Sequence, residues 1–104
     1  MSFLSTHILD TANGSPAEGL TVHLFSGEQK IASGTTDSDG RISDLGPDQL
    51  ETGDYTLVFE IGDYYPRTSF WNSVSLTVSL VQETGHYHIP LLLSPYSISS
   101  YRGS

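Results

Sequence analysis

Four side chains carry the chemistry that this sequence could do: His7, Arg41, His88 and Tyr101. An imidazole, titrating near ~6.5, is the natural general base at neutral pH. A guanidinium presents a planar fork of donors to carbonyl or enolate oxygens, and it can stabilise an oxyanion as one forms. Two imidazoles near a cation tend to stay neutral, because like charge disfavours protonation. A single strand histidine is an ordinary surface residue. Two of them, with an arginine on a tight turn and a tyrosine on a matching face, form a more specific set.

The elements that must position these groups follow from strand alternation, in which successive side chains point to opposite faces. Along residues 3–10, Leu4 and Ile8 face one way and Ser5, His7 and Leu9 the other. Along residues 86–93, Tyr87, Ile89, Leu91 and Leu93 make the core side, while His86, His88, Pro90 and Leu92 share the opposite face. Asp37-Ser38-Asp39-Gly40-Arg41 reads as a tight turn in which Gly40 supplies positive φ. After a turn at Ser94-Pro95-Tyr96, Ser97, Ser99 and Tyr101 alternate with Ile98, Ser100 and Arg102. This serine-rich tail buries too little to hold itself against an ordering cost of ~1–2 kcal/mol per residue. Its order is therefore expected to come from a neighbouring copy, with Ile98 packed inward.

The other strands are read at residues 20–26, 30–36, 54–61 and 74–81, with 42–50 irregular apart from a short edge strand. Turn signals such as Asn13-Gly14 punctuate the chain, and the connection from Gly62 to Thr68 is too short and too broken by Pro66 for an ordinary helix. The expected fold is all-β, a two-sheet sandwich of seven or eight strands with at most one short helix.

The 104 residues suit a single domain spanning 1–104. With no cysteine, disulfides and thiolate metal sites are excluded. The net charge of −8, with only four Lys and Arg residues, disfavours both nucleic acid and anionic membrane as partners. It also singles out each of Lys30, Arg41, Arg67 and Arg102. No apolar run approaches the ~18 residues of a membrane span, and Met1-Ser2-Phe3-Leu4-Ser5 lacks the basic and apolar regions of a signal peptide. A cytoplasmic protein is expected.

Leu4-Ser5-Thr6-His7-Ile8-Leu9-Asp10, followed by Gly14-Ser15-Pro16-Ala17, resembles the N-terminus of the transthyretin-like (prealbumin-like) family. The run from His86 to Tyr96, the closing Tyr101-Arg102-Gly103-Ser104 and the Asp39-Gly40-Arg41 turn resemble that family's enzymatic branch, which hydrolyses 5-hydroxyisourate. The likeness runs nearly end to end, and the terminal tetrapeptide is absent from the hormone-carrying members. It implies a homotetramer, a dimer of dimers facing each other across a channel, with no metal and no cofactor. The reaction opens the six-membered ring of the urate oxidation product to give 2-oxo-4-hydroxy-4-carboxy-5-ureidoimidazoline. On this resemblance His7, Arg41 and His88 are catalytic, the two histidines sharing water activation without the sequence choosing the base. His7, Arg41, Tyr101 and Ser104 bind the small-molecule substrate.

The alternative is a transthyretin-like carrier with no turnover, which would want mainly apolar walls. A zinc site built from His86, His88 and His7 is weaker still, because His-x-His alone is a poor signal and no carboxylate adjoins either histidine in sequence. His86 and His23 are otherwise read as surface residues.

Overall fold

In the computed structural model, residues 3–65 and 69–103 are described. Two sheets face each other. The first has β1 (Leu4–Asp10) at its centre, bordered on one edge by β2 (Ser15–Pro16) and β5 (Arg41–Ile42), and on the other by β8 (Tyr87–Leu93), with β9 (Ile98–Ser100) beyond it. The second runs β4 (Gln29–Thr35), β3 (Thr21–Ser26), β6 (Gly53–Phe59), β7 (Val74–Leu80). Nine strands are thus described, close to the expected count; β2 and β5 are two-residue pairings that satisfy β1's open edge in succession. Among the described residues the one α-helix, α1 (Ile61–Tyr64), is a single turn. Pro66, Arg67 and Thr68, where the sequence left little room for a helix, lie outside the described residues.

The core forms where the alternating faces meet. Leu4 and Ile8 of β1, Val22 and Leu24 of β3, Leu57 and Phe59 of β6, and Leu91 and Leu93 of β8 are all fully buried. β7 contributes the face expected of it, with Val74 and Leu80 buried and Leu76 and Val78 half-buried. Two threonines enter this core with their needs met. Thr6 Oγ1 donates to the Ile89 carbonyl at 2.6 Å, tying β1 to β8 from inside. Thr36 Oγ1 donates to the Ala17 carbonyl at 2.6 Å and accepts from Leu20 N at 2.9 Å. A buried hydroxyl is costly only when it lacks a partner.

Asp10 ends β1 as a buried anchor. Its carboxylate accepts from the backbone N–H of Ala12 and of Asn13, each at 3.1 Å, from Asn13 Nδ2 at 2.8 Å and from the Tyr64 hydroxyl at 2.9 Å. Burial alone would raise its pKa, but the donors outweigh that and hold it below 3.8. Burial and the bond to Asp10 in turn push the Tyr64 hydroxyl up to about 12, so it stays a donor. A carboxyl depressed on folding stabilises above its unfolded pKa, and this stability is lost as pH falls through the folded value. Asp10→Asn is therefore expected to lower stability at pH 7 by about 1–3 kcal/mol. The gap to the parent should close between pH 4 and pH 2. Urea melts at matched concentration across that range would check this; a gap independent of pH would contradict it.

Candidate active site

The parallel ladder between β1 and β8 sets Ser5 opposite His88, Thr6 opposite Ile89 and His7 opposite Pro90. On β1's other edge, β5 sets Arg41 opposite His7 and Ile42 opposite Thr6. Residues directly paired across a ladder share a face. Thr6, Ile42 and Ile89 therefore point to the core, and Ser5, His7, Arg41 and His88 project together from the outer face. Arg41 was read on a turn; it is also the first residue of a strand, and the pairing aims its side chain.

That turn has a physical basis. Asp37 Oδ1 accepts from the N–H of Asp39 at 2.9 Å and of Arg41 at 3.0 Å. Gly40 has φ 74°, and its carbonyl accepts from Ile8 N at 2.7 Å. A Cβ at Gly40 would sit 2.5 Å from the Ile8 carbonyl oxygen, so the chain can approach β1 this closely only at glycine.

The two imidazoles are held differently. His7 Nε2 lies 3.0 Å from the Asp39 carbonyl. A carbonyl only accepts, so Nε2 carries the hydrogen and Nδ1 the lone pair in the neutral ring. His88 is half-buried, with Nδ1 2.8 Å from Ser5 Oγ. Burial, and then the charges of Arg41, His7 and His86, lower its pKa from the ordinary 6.5. The neutral ring of His88 is thus favoured.

The tail crosses His88. Gly103 N donates to the His88 carbonyl at 2.7 Å, and a Cβ at Gly103 would stand 2.7 Å from His88 Cδ2. Continuing the pairing of Leu91 with Ser100 places Tyr101 opposite Pro90. Pro90 has no N–H, so the ladder breaks there and β9 ends at Ser100. Ser100 Oγ donates to the Pro90 carbonyl instead, at 2.7 Å. Tyr101 belongs by register to the outer face and is 59% exposed. Arg102 lies on the core side, its guanidinium 4.8 Å from the centroid of the Tyr87 ring. These contacts within one chain tie the tail to β8, which the expectation of order from a neighbouring copy did not include. Ser104 lies outside the described residues.

Two residues escaped the sequence. Ser5 Oγ lies 3.0 Å from His86 Nε2 as well as 2.8 Å from His88 Nδ1, so His86, read as a surface residue, joins the site's edge. The only sequence signal was a same-face His-x-His pair, and nothing told which serine it would meet. His23, on the other sheet, pairs with Ser33 Oγ at 2.8 Å, away from this face. Among the described residues, no group of three His, Cys, Asp or Glu side chains is placed to hold a metal ion. A groove of about 310 Å³ opens between β7 and the tail, bordered by Leu76, Val78, Tyr87, Ile89, Tyr101 and Arg102. It contains no imidazole, and Tyr87 and Ile89 place it on the core side of the sheet.

A two-sheet sandwich that carries an imidazole–guanidinium–imidazole set on one outer face defines a protein of the transthyretin type with polar, ionisable groups on that face. Known proteins agree: the chain belongs to the HIUase/transthyretin family, whose model matches residues 4–103. It is 40% identical to a Pseudomonas aeruginosa 5-hydroxyisourate hydrolase, over 100% of this chain and 93% of that protein. Its fold superposes on the Klebsiella pneumoniae 5-hydroxyisourate hydrolase with a TM-score of 0.91 at 37% identity, covering 99% of this chain and 100% of the other. Sea bream transthyretin, solved with thyroxine, gives a TM-score of 0.88 at 28% identity over 97% and 94% of the two chains.

Gly103→Ala is expected to push the tail off His88 while the sandwich persists, because the clash falls on one ring edge and one strand end. Amide exchange over residues 98–103 should accelerate severalfold, with β1 and β6 unchanged. Equal protection in both proteins would show that the close approach is not what seats the tail.

Proposed function

We propose that this chain hydrolyses 5-hydroxyisourate, opening its six-membered ring to give 2-oxo-4-hydroxy-4-carboxy-5-ureidoimidazoline. The observation that carries the reading is the direct pairing of His7 with Arg41 beside His88, on a sheet face where no core-packing role needs any of the three. Support from relatives lies in hydrolases that share about 40% of their residues with this chain. The reaction balances with substrate and water alone. A neutral imidazole, His7 or His88, takes a proton as water oxygen attacks the ring carbonyl. Arg41 stabilises the oxyanion formed there. The ring C–N bond then breaks, and the proton passes from the imidazolium to the leaving nitrogen. Tyr101 and Ser104 are assigned to substrate binding, closing over the ring.

The outer face is open, and an open face does not exclude water. A homotetramer, two dimers facing across a channel, would enclose it and supply the second wall. The same reading treats residues 1–104 as one hydrolase domain working in the cytoplasm. No helix among the described residues is long and apolar enough to cross a membrane. A carrier without turnover is the second reading, favoured by the thyroxine-bound relative's fold. Two imidazoles and a guanidinium on the channel face count against it.

The assay is the absorbance decay of intermediate freshly made from urate and urate oxidase, in EDTA, with the spontaneous rate subtracted. Acceleration is expected; none from a folded protein would favour the carrier. His7→Asn, Arg41→Ala and His88→Asn should each lose ~10²–10⁴ in rate with little change in melting temperature. A variant that unfolds yet keeps its specific activity would mark that residue as structural.

The pH profile provides a separate check. His88 binds its proton less readily than a free imidazole, so it stays a competent base further into acid. If it is the base, kcat/KM should fall on the acid side with a midpoint below ~6.5. A midpoint at or above that value would remove His88 from the role.

A further inference from the structure

We infer that Ser5 and His86 form a proton relay behind His88, in which His86 holds the proton that His88 takes from water. The inference rests on the hydrolase reading and deepens it. The groups stand in a row on the outer face: His86 Nε2, Ser5 Oγ at 3.0 Å, and His88 Nδ1 a further 2.8 Å on. Both links are within hydrogen-bond range. A serine hydroxyl has one hydrogen, so it donates along one link and accepts along the other. The row is therefore polarised as a unit. With Ser5 donating to His86, His88 carries its hydrogen on Nδ1 and keeps a lone pair on Nε2, the form a base needs. With Ser5 donating to His88, the hydrogen of His88 sits on Nε2, the form an acid needs.

Hydrolysis uses the two forms in turn. A water O–H breaks and an Nε2–H forms on His88, while the water oxygen bonds to the ring carbonyl carbon. The Nδ1 hydrogen of His88 moves to Ser5 Oγ, and the serine's own hydrogen moves to His86 Nε2. Three N–H or O–H bonds break and three form; His88 ends neutral and His86 positive. When the ring C–N bond breaks, His88 gives its Nε2 hydrogen to the leaving nitrogen and the row runs back.

Charge favours this destination. His88 is half-buried, faces Arg41 from β5 and His7 from β1, and is crossed by Gly103 of the tail. His86 is exposed and lies two residues, ~7 Å, beyond His88 on the side away from the row of Arg41, His7 and Pro90. A positive charge costs less there.

Two variants test the relay, each measured by kinetics and by ring ¹⁵N NMR without substrate. Ser5→Ala and His86→Gln should each lower kcat about tenfold to a hundredfold with KM little changed, the scale for removing a working histidine's orienting partner. Ser5→Thr, which keeps the hydroxyl, should restore most of it. In the parent the His88 signals should show Nδ1 protonated, and both variants should shift them toward the other tautomer. Unchanged His88 signals with unchanged kcat, or Ser5→Thr as slow as Ser5→Ala, would overturn the relay. A parent protein with no hydrolase activity defeats the functional reading instead; the spectra then decide on the row, and an unshifted His88 in both variants overturns it. Should Ser5→Ala not fold, His86→Gln at its exposed position carries both measurements.

Discussion

The whole site hangs on one register, the parallel pairing of β1 with β8. It places Ser5 beside His88 and His7 beside Pro90. Because side chains alternate, a slip of one residue would turn His88 into the core and Ile89 or Tyr87 onto the outer face. The register is fixed from the core side, where Leu4, Ile8, Leu91 and Leu93 are fully buried and Thr6 Oγ1 bonds the Ile89 carbonyl. The strands that carry these side chains are thus positioned by core contacts on the opposite face. The apolar face supplies the stability, and the polar face is left free of structural duty.

The other edge of β1 is completed piecemeal, and that too serves the site. β2 covers Leu9 and Asp10, the Gly40 carbonyl takes the Ile8 N–H, and β5 covers Thr6 and His7. Arg41 reaches its place because Asp37 folds the turn and Gly40 passes where no side chain fits. The anionic turn also sets His7, since the Asp39 carbonyl fixes the ring hydrogen on Nε2. One five-residue turn therefore orients both members of the His7–Arg41 pair.

Much of this was legible beforehand, and what was not has physical reasons. Alternation alone separated the faces of β1 and β8, because each strand has one buried side and the apolar residues mark it. Gly40 was legible because a tight turn demands positive φ. The row of His86, Ser5 and His88 was not, since only the register says which serine meets which imidazole. The tail's own contacts were illegible for a related reason. Counting its own apolar residues missed the Arg102 stacking on Tyr87, the Ser100 bond to the Pro90 carbonyl and the Gly103 bond to the His88 carbonyl, all made with the neighbouring strand.

The β1–β8 ladder also bears on how the molecule comes into being. Ser5 and His88 are separated by 83 positions in the chain, and their strands run parallel. A contact so distant repays the entropy of closing its loop only late, so folding dominated by such pairings is slow. Until β8 arrives, β1 is a strand with one open edge and a buried-type apolar face, the kind of surface that pairs with the wrong chain. The second sheet has no such wait, because β3 pairs with β4 directly after one tight turn. The sheet that presents His7, Arg41 and His88 thus depends on the ladder with the greatest sequence separation among the described strands.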